Sequence, residues 1–256
     1  NNLFISPSAV SARIKQLEDE LGIRLFSRDR NNIELTTAGK KFLRYAENIL
    51  NVWYRAKQEI AIPEGAESLL SVAALASIWD IFLQDWLIWV HQSRFTSALQ
   101  TDVMRSDSMI RDLLEGSLDL GFILDPPKTP QLLVKELLPV PLIMVSSVVG
   151  MHAEKAVSEN YIFVDWGTSF GMIHARLYPD MPPPMLRASV ARIALGFVNS
   201  CGGAAYLPEA MVADQLGKSL YRVEDAAIIH KDAYAIYSPT NNKRETIEAV
   251  LKWFDR

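Results

Sequence analysis

The sequence predicts an α+β chain in two parts: a small basic head built from a helix, a hairpin and a long helix, and a larger α/β body. Three observations carry this expectation. Residues 1 to 62 hold ten Lys or Arg against seven Asp or Glu, net +3, whereas the remainder holds sixteen against twenty-three, net −7. Apolar residues from Phe42 to Ile60 recur at alternating spacings of four and three, the period of a helix that pairs with another helix. Beyond Pro63, where Ile62-Pro63-Glu64-Gly65 interrupts a helical pattern, strand-like and helix-like segments alternate as they do in α/β layers.

Composition narrows the function classes. A 256-residue chain with 49% hydrophobic and 22% charged residues is globular, with enough apolar side chains for a sizeable core. The longest uncharged stretch, Leu137 to Ala153, contains Pro139, Pro141 and Gly150 and is too short and broken to span a bilayer, so no membrane partner is expected. Cys201 is the single cysteine, which rules out a disulfide within one chain and fits a reducing, cytoplasmic setting. The first residues, Asn1-Asn2-Leu3-Phe4-Ile5, carry neither a signal peptide nor an initiator Met, so the sequence reads as starting part-way into a domain.

The head opens with Ser6 and Pro7, a cap and a ring pre-set to helical φ, and Gly22 is the matching stop. Val10, Ile14, Leu17 and Leu21 make one apolar stripe, leaving Ser8, Ser11, Ala12, Arg13, Lys15 and Gln16 on the outer face. That face is small, polar and cationic, a surface that enters a major groove without obstruction; an ordinary solvated face is the competing account. Next come two strand-like segments, Leu25 to Arg28 and Ile33 to Thr36, around Asp29-Arg30-Asn31-Asn32, a turn tolerant of positive φ. A cationic helix followed by a hairpin carrying Arg28 and Arg30 is the layout of a winged helix-turn-helix, whose wing reaches phosphates beside the groove. Thr36 then caps a helix running to about Ala61, along which Phe42, Ala46, Ile49, Trp53, Ala56 and Ile60 form a seam. Packing on its own domain is the alternative, but the strict period fits a two-helix dimer seam better.

These residues closely resemble the signature of LysR-type transcriptional regulators. The resemblance rests on Ser6-Pro7-Ser8-Ala9-Val10-Ser11 leading to Ile14, then Gln16-Leu17-Glu18, Leu21-Gly22, Leu25-Phe26, Arg28, and Leu35-Thr36 with Ala38-Gly39. The Arg30-Asn31-Asn32-Ile33 turn and the Trp166-Gly167 pair further resemble the HdfR-like branch. The resemblance implies that Ser6, Ser8, Ser11 and Arg13, with Lys15 beside them, approach bases or phosphates while Arg28 and Arg30 serve the wing. Family members often carry Gln after the first Ser, whereas Pro7 stands here, so a Gln-to-adenine contact does not carry over. On the same resemblance the first helix of the motif and most of the second precede Asn1, and a chain starting there is not expected to bind DNA stably. The implied division is a partial winged helix-turn-helix over 1–36, a linker and dimerisation helix over 37–62, and an effector-binding domain over 63–256. Lobe I of that domain covers about 67–142 and 239–256, and lobe II about 143–238.

In the body, the strand-like and helix-like segments are Leu69 to Leu75, Ile78 to Gln92, Leu99 to Met104, Met109 to Leu114 and Leu118 to Leu124. They resume with Tyr161 to Val164, Ser169 to Leu177, Ser189 to Asn199, Ala204 to Leu207 and Pro208 to Leu216. Extended stretches near Leu142 to Ser147 and Ala233 to Ser238 are placed to cross between lobes before Lys243 to Phe254 closes the chain as a helix. The arrangement resembles the two-lobed, periplasmic-binding-protein-like effector domain of the LysR family, in which helix starts converge on a crevice that attracts polar or anionic ligands. Ser77, Ser106, Asp125, Trp166, Thr168 and Ser169 are therefore the candidate effector residues, with hydroxyls orienting the ligand and Trp166 offering an apolar face. Simple helix capping is the competing role for each hydroxyl. The helix from Ile78 carries Trp79, Trp86 and Trp89 with apolar residues around more than one face, so Trp79 and Trp86 are expected at a second dimer contact. Burial against the lobe's own sheet is the alternative.

No catalytic or metal site is expected, and no cofactor. His91, His152, His174 and His230 lack ligand spacing, phosphate-binding glycine motifs do not occur, and Cys201-Gly202-Gly203 reads as a small buried residue at a strand entry. The expected function is a dimeric or tetrameric DNA-binding regulator that binds an operator of dyad symmetry and answers to a small molecule. A solute-binding protein with the same two-lobed fold and no DNA role is the alternative.

Overall fold

The computed structural model describes residues 6–29, 32–60, 68–93, 95 and 97–255. The chain divides into two compact units, Asn1–Ala61 and Ile62–Arg256.

In the first unit, α1 spans Pro7–Leu21, with Ser6 Oγ accepting from Ala9 N at 3.3 Å and Gly22 closing the helix at φ 66°. The hairpin pairs β1 (Phe26–Asp29) antiparallel with β2 (Asn32–Leu35), and α2 runs over Thr37–Ile60. Side chains of α1 tie the pieces together: Glu18 Oε1 accepts from Leu25 N at 2.7 Å and Phe26 N at 3.0 Å. Thr36 Oγ1 accepts from Gly39 N at 2.9 Å and donates to Arg24 O at 2.8 Å, so one hydroxyl starts α2 and anchors it to the segment before β1. Gly39 is obligatory there, because a Cβ would stand 2.0 Å from Leu25 O.

The second unit holds a nine-stranded curled sheet. Its elements are β3 (Ser68–Ala74), α3 (Ala76–Ile78), a π-helical stretch (Trp79–Leu83), α4 (Gln84–Gln92), β4 (Ser97–Val103), α5 (Ser106–Leu114), β5 (Leu120–Ile123) and β6 (Leu133–Ser146). They continue with α6 (Ala153–Ser158), β7 (Tyr161–Val164), α7 (Thr168–Leu177), β8 (Leu186–Ala188), α8 (Ala191–Cys201), β9 (Ala204–Pro208) and α9 (Glu209–Val212). The short β10 (Tyr221–Arg222), β11 (Ile229–Tyr237) and α10 (Arg244–Leu251) complete the chain, with 3-10 turns after α9 and α10. Strand order is β4-β3-β5-β11-β6-β9-β7-β8, with β10 also on β6.

Two parallel patches, β4-β3-β5 and β9-β7-β8, are thus joined by the antiparallel pair β11 and β6. This is a two-lobed α/β architecture with two crossing strands. Both crossings predicted from the sequence exist, but β6 begins nine residues earlier than Leu142, and it runs through Pro139 and Pro141 opposite Asp232 and His230. The first lobe's sheet is covered on both faces: Leu70, Val72, Leu120 and Phe122 pack with Trp86 on one side, and Ala73 and Ile123 with Met109 and Leu113 on the other.

The helical stretch after β3 corrects one expectation. Trp86 is 0% exposed, its indole N–H donating to Val250 O at 3.0 Å, so it belongs to the lobe's core and not to a dimer contact. Trp79 is half-buried against the same core, with its indole N–H on Asp102 O at 3.2 Å. The sheet and α10 cover the face that carries Trp86, while Ile81, Leu87 and Trp89 stay half-buried with Trp79 and Ile88 is exposed. Cys201 is likewise not a buried strand-entry residue; it is exposed at the last position of α8.

Candidate functional site

Two surfaces carry candidate function, one in each unit. On the head, Ser6, Ser8, Ser11, Arg13 and Lys15 are all exposed on or beside α1, opposite the half-buried Val10, Ile14 and Leu17. Arg28 lies on β1, its side chain outside the described residues; Arg30, and with it the hairpin tip, lies outside them too. Along α2, Ile49, Trp53 and Ile60 are exposed while Phe42, Ala46 and Ala56 are half-buried, so an apolar stripe faces outward along much of the helix.

In the body a cleft of about 480 Å³ brings together Ser77, Ser106, Asp125 and Trp166, with Arg105, Asp165 and Gly167. It opens where five chain turns meet: β3 into α3, β4 into α5, the exit of β5, β7 into α7, and β8 into α8. Ser169 touches Asp125 at its edge, and Thr168 is exposed at the first position of α7.

Two of these residues are less free than the sequence implied. Ser77 is buried and accepts from Ala191 N at 3.3 Å, joining the start of α3 to the start of α8. Trp166 lines the cleft with its ring only 3% exposed and its indole N–H on Tyr206 O at 3.0 Å, so it is a fixed wall and offers no open apolar face.

The polar centre beside the cleft contains a residue that sequence reasoning missed. Lys231, on β11, has a side chain 4% exposed and gives its ammonium to Asp125 Oδ1 and to Ser169 Oγ. Ser169 Oγ donates to Asp125 Oδ1 at 2.7 Å, and Ser169 N reaches Oδ2 at 3.4 Å. Burial opposes ionisation of Asp125, but the Lys231 and Ser169 hydrogen bonds and the lysine charge outweigh it and hold the carboxyl below its usual range. Strand parity was the available signal: Ile229, Lys231 and Ala233 share the buried face of β11.

A second ionic knot sits at the other end of the first lobe. Asp119, fully buried, accepts from Ser71 N at 2.9 Å, Ser71 Oγ at 3.0 Å, Asn241 Nδ2 at 2.9 Å and Lys243 Nζ at 3.1 Å. Its partners come from β3 and the turn before α10, so it fastens chain ends and faces no ligand space. On the inner face of α7, His174 is buried among Tyr161, Phe163, Phe170, Tyr178 and Tyr206, with its Nε2 2.8 Å from Tyr161 Oη. Burial, aided by the charge of Arg187, pushes its imidazole down to about 4. Among the described residues no group of His, Cys, Asp and Glu is arranged to hold a metal ion, and no helix is long and apolar enough to cross a membrane.

Comparison with known proteins covers both units. Residues 1–40 match the bacterial regulatory helix-turn-helix proteins of the lysR family, and residues 63–256 match the LysR substrate binding domain. The HTH-type transcriptional regulator HdfR of Yersinia enterocolitica is 32% identical over 260 residues, covering 98% of this chain and 88% of its own length. HdfR of Salmonella schwarzengrund is 34% identical over 253 residues, covering 98% and 89%. Among solved structures, the LysR family regulator CbnR superposes with a TM-score of 0.71 at 18% identity, covering 100% of this chain and 92% of that one. Full-length CbnR complexed with its target DNA gives 0.71 at 21% identity, covering 99% and 90%.

Proposed function

Because the chain belongs to the LysR family of bacterial transcriptional regulators, we propose that it pairs through the outward stripe of α2 and reads a dyad-symmetric operator with the exposed face of α1 and the hairpin. The observation that carries this reading is the coincidence of a DNA-binding family match over the head with a small, polar, cationic surface on α1. The same head disfavours a solute-binding protein without a DNA role, in which residues 1–40 would have no use.

Ser8, Ser11, Arg13 and Lys15 are assigned to the groove and adjacent phosphates, and Arg28 and Arg30 to the flanking backbone. The body senses a small polar effector in the cleft at Ser106 and Asp125, with Ser169 behind Asp125 and Thr168 beside it at the start of α7. Effector binding changes lobe closure, and closure changes operator affinity, because a ligand shifts an equilibrium only by its differential affinity for the two arrangements. Such a regulator works in the cytoplasm, beside the chromosome.

The test is genome-wide mapping of binding sites for the full-length protein, followed by gel shift on the strongest site. Discrete, inverted-repeat sites with affinity lost in an Arg13→Ala/Lys15→Ala double variant support the reading. A double variant with undiminished operator affinity overturns the assigned contacts.

A further inference from the structure

The cleft of the second unit has one acidic residue that behaves as a bound ligand. Asp125 follows β5, and its carboxylate is met by three donors of different kinds: the Lys231 ammonium, the Ser169 hydroxyl at 2.7 Å, and the Ser169 backbone N–H at 3.4 Å in the first turn of the ten-residue helix α7. Gly167, at φ 95°, lets the carboxylate approach, since a Cβ there would lie 2.2 Å from Asp125 Oδ2. A buried cation, a hydroxyl, a helix N-terminus and a bare backbone form the chemistry of a receptor for a free carboxylate. Lys231 and Ser169 do not line the cleft, whereas Asp125 does: the carboxylate stands between them and the open space.

The rest of the cleft offers an anion no unpaired cation among the described residues. Arg105 is the one cation lining it among the described residues, and it pairs with Asp107 at 3.3 Å. Asp165 adds an exposed carboxylate, one oxygen of which already accepts from Gly167 N at 3.0 Å. With Asp125 neutralised by Lys231, the uncompensated charge facing the space is negative.

We propose that Asp125 is the resident ligand of the cleft: it fills a carboxylate receptor that the chain builds from Lys231 and the start of α7, and it restricts effectors to molecules without a carboxylate. This rests on reading the cleft as the effector site and replaces the expectation of an anionic ligand. Asp125 is then the residue that determines specificity, and the receptor is revealed by removing it.

The experiment uses formate, which matches the carboxylate lost beyond the retained Cβ, against chloride at equal ionic strength, and it requires no DNA. Wild-type protein is expected to show no saturable formate effect on melting temperature or tryptophan fluorescence. Asp125→Ala is expected to show a saturable rise of about 3–6 °C once formate exceeds its dissociation constant about tenfold. That response disappears in Asp125→Ala/Lys231→Met, and its persistence there counts against the proposal. If Asp125→Ala does not fold in chloride, recovery of its near-ultraviolet circular dichroism in formate alone gives the same support, and absence of recovery counts against the proposal. A saturable formate response in wild type, or a folded Asp125→Ala indifferent to formate, overturns it. Gel shift with wild type then reports separately on the regulator reading, which stands or falls without reference to formate.

Discussion

Arg192 reaches across the cleft side of the body to Asp80, with Nη2 at 2.6 Å and Nε at 3.1 Å from the same carboxylate oxygen. Asp80 belongs to the helical stretch after β3 and Arg192 to the first turn of α8, so the pair joins the two parallel patches at the place where Ser77 Oγ meets Ala191 N. The guanidinium is largely exposed, and its direct worth to stability is small because solvent screens it.

Arg192→Ala is therefore expected to leave the urea midpoint nearly unchanged. If the pair holds the lobes together, the variant shows an increase in radius of gyration by small-angle scattering. A large fall in the urea midpoint would show that the pair is a stability element instead.

Asp119 behaves oppositely. Asp119→Ala removes the carboxylate from a largely buried ammonium, which keeps Leu69 O, and from a buried serine, and the expected cost is about 3–5 kcal/mol, measured as the fall in urea midpoint at constant m-value. Asp119→Asn, which keeps the shape and an acceptor oxygen, is expected to recover part of that loss.

His174 sets a lower pH boundary. Its folded value of about 4 lies below the ordinary histidine value of 6.5, so the unfolded chain binds the extra proton first. The stabilisation from keeping it neutral is complete above pH 6.5 and is lost as pH falls towards 4, to a total of about 3 kcal/mol. Urea midpoints measured from pH 7.5 to 4 are expected to fall along this window, and less steeply in a Tyr161→Phe/His174→Phe variant that removes both hydrogen-bonding partners. An equal slope in the variant would assign the loss to carboxylates elsewhere.

The outward residues of α2 provide a test of assembly. Trp53→Glu places charge in the middle of the stripe and is expected to weaken self-association about thirtyfold or more in sedimentation, while circular dichroism of the monomer stays unchanged. On DNA, neutralisation by Arg13, Lys15, Arg28 and Arg30 of two subunits gives a log-log salt slope of at most about −7, and Arg13→Ala reduces it by about 2.

Much of this was legible in advance, for physical reasons that differ along the chain. The Ser6-Pro7 start, the Gly22 stop and the Thr36 cap are local devices, and α1, the hairpin and α2 stand where those devices place them. Alternation located most strands and helices of the body; the short α6, β8 and β10 left too few residues for a period to show. The first part of β6 stayed hidden because Pro139 and Pro141 read as breakers, although an antiparallel strand tolerates them where no ladder donor is needed. Trp86 misled because apolar excess on a helix does not say whether a partner or the domain itself covers it. The cleft hydroxyls followed from their positions at helix starts, but the pairing of Asp125 with Lys231 spans most of the body's length and no local pattern encodes it.

The lone thiol at the tip of α8 has a practical corollary. With one cysteine per chain, exposed just before Gly202-Gly203, maleimide dyes and spin labels attach at a single address, and any oxidative bridge between two copies must join each Cys201 to its twin. Interspin distances from such labelled pairs would map how two bodies sit together without engineering the chain at all.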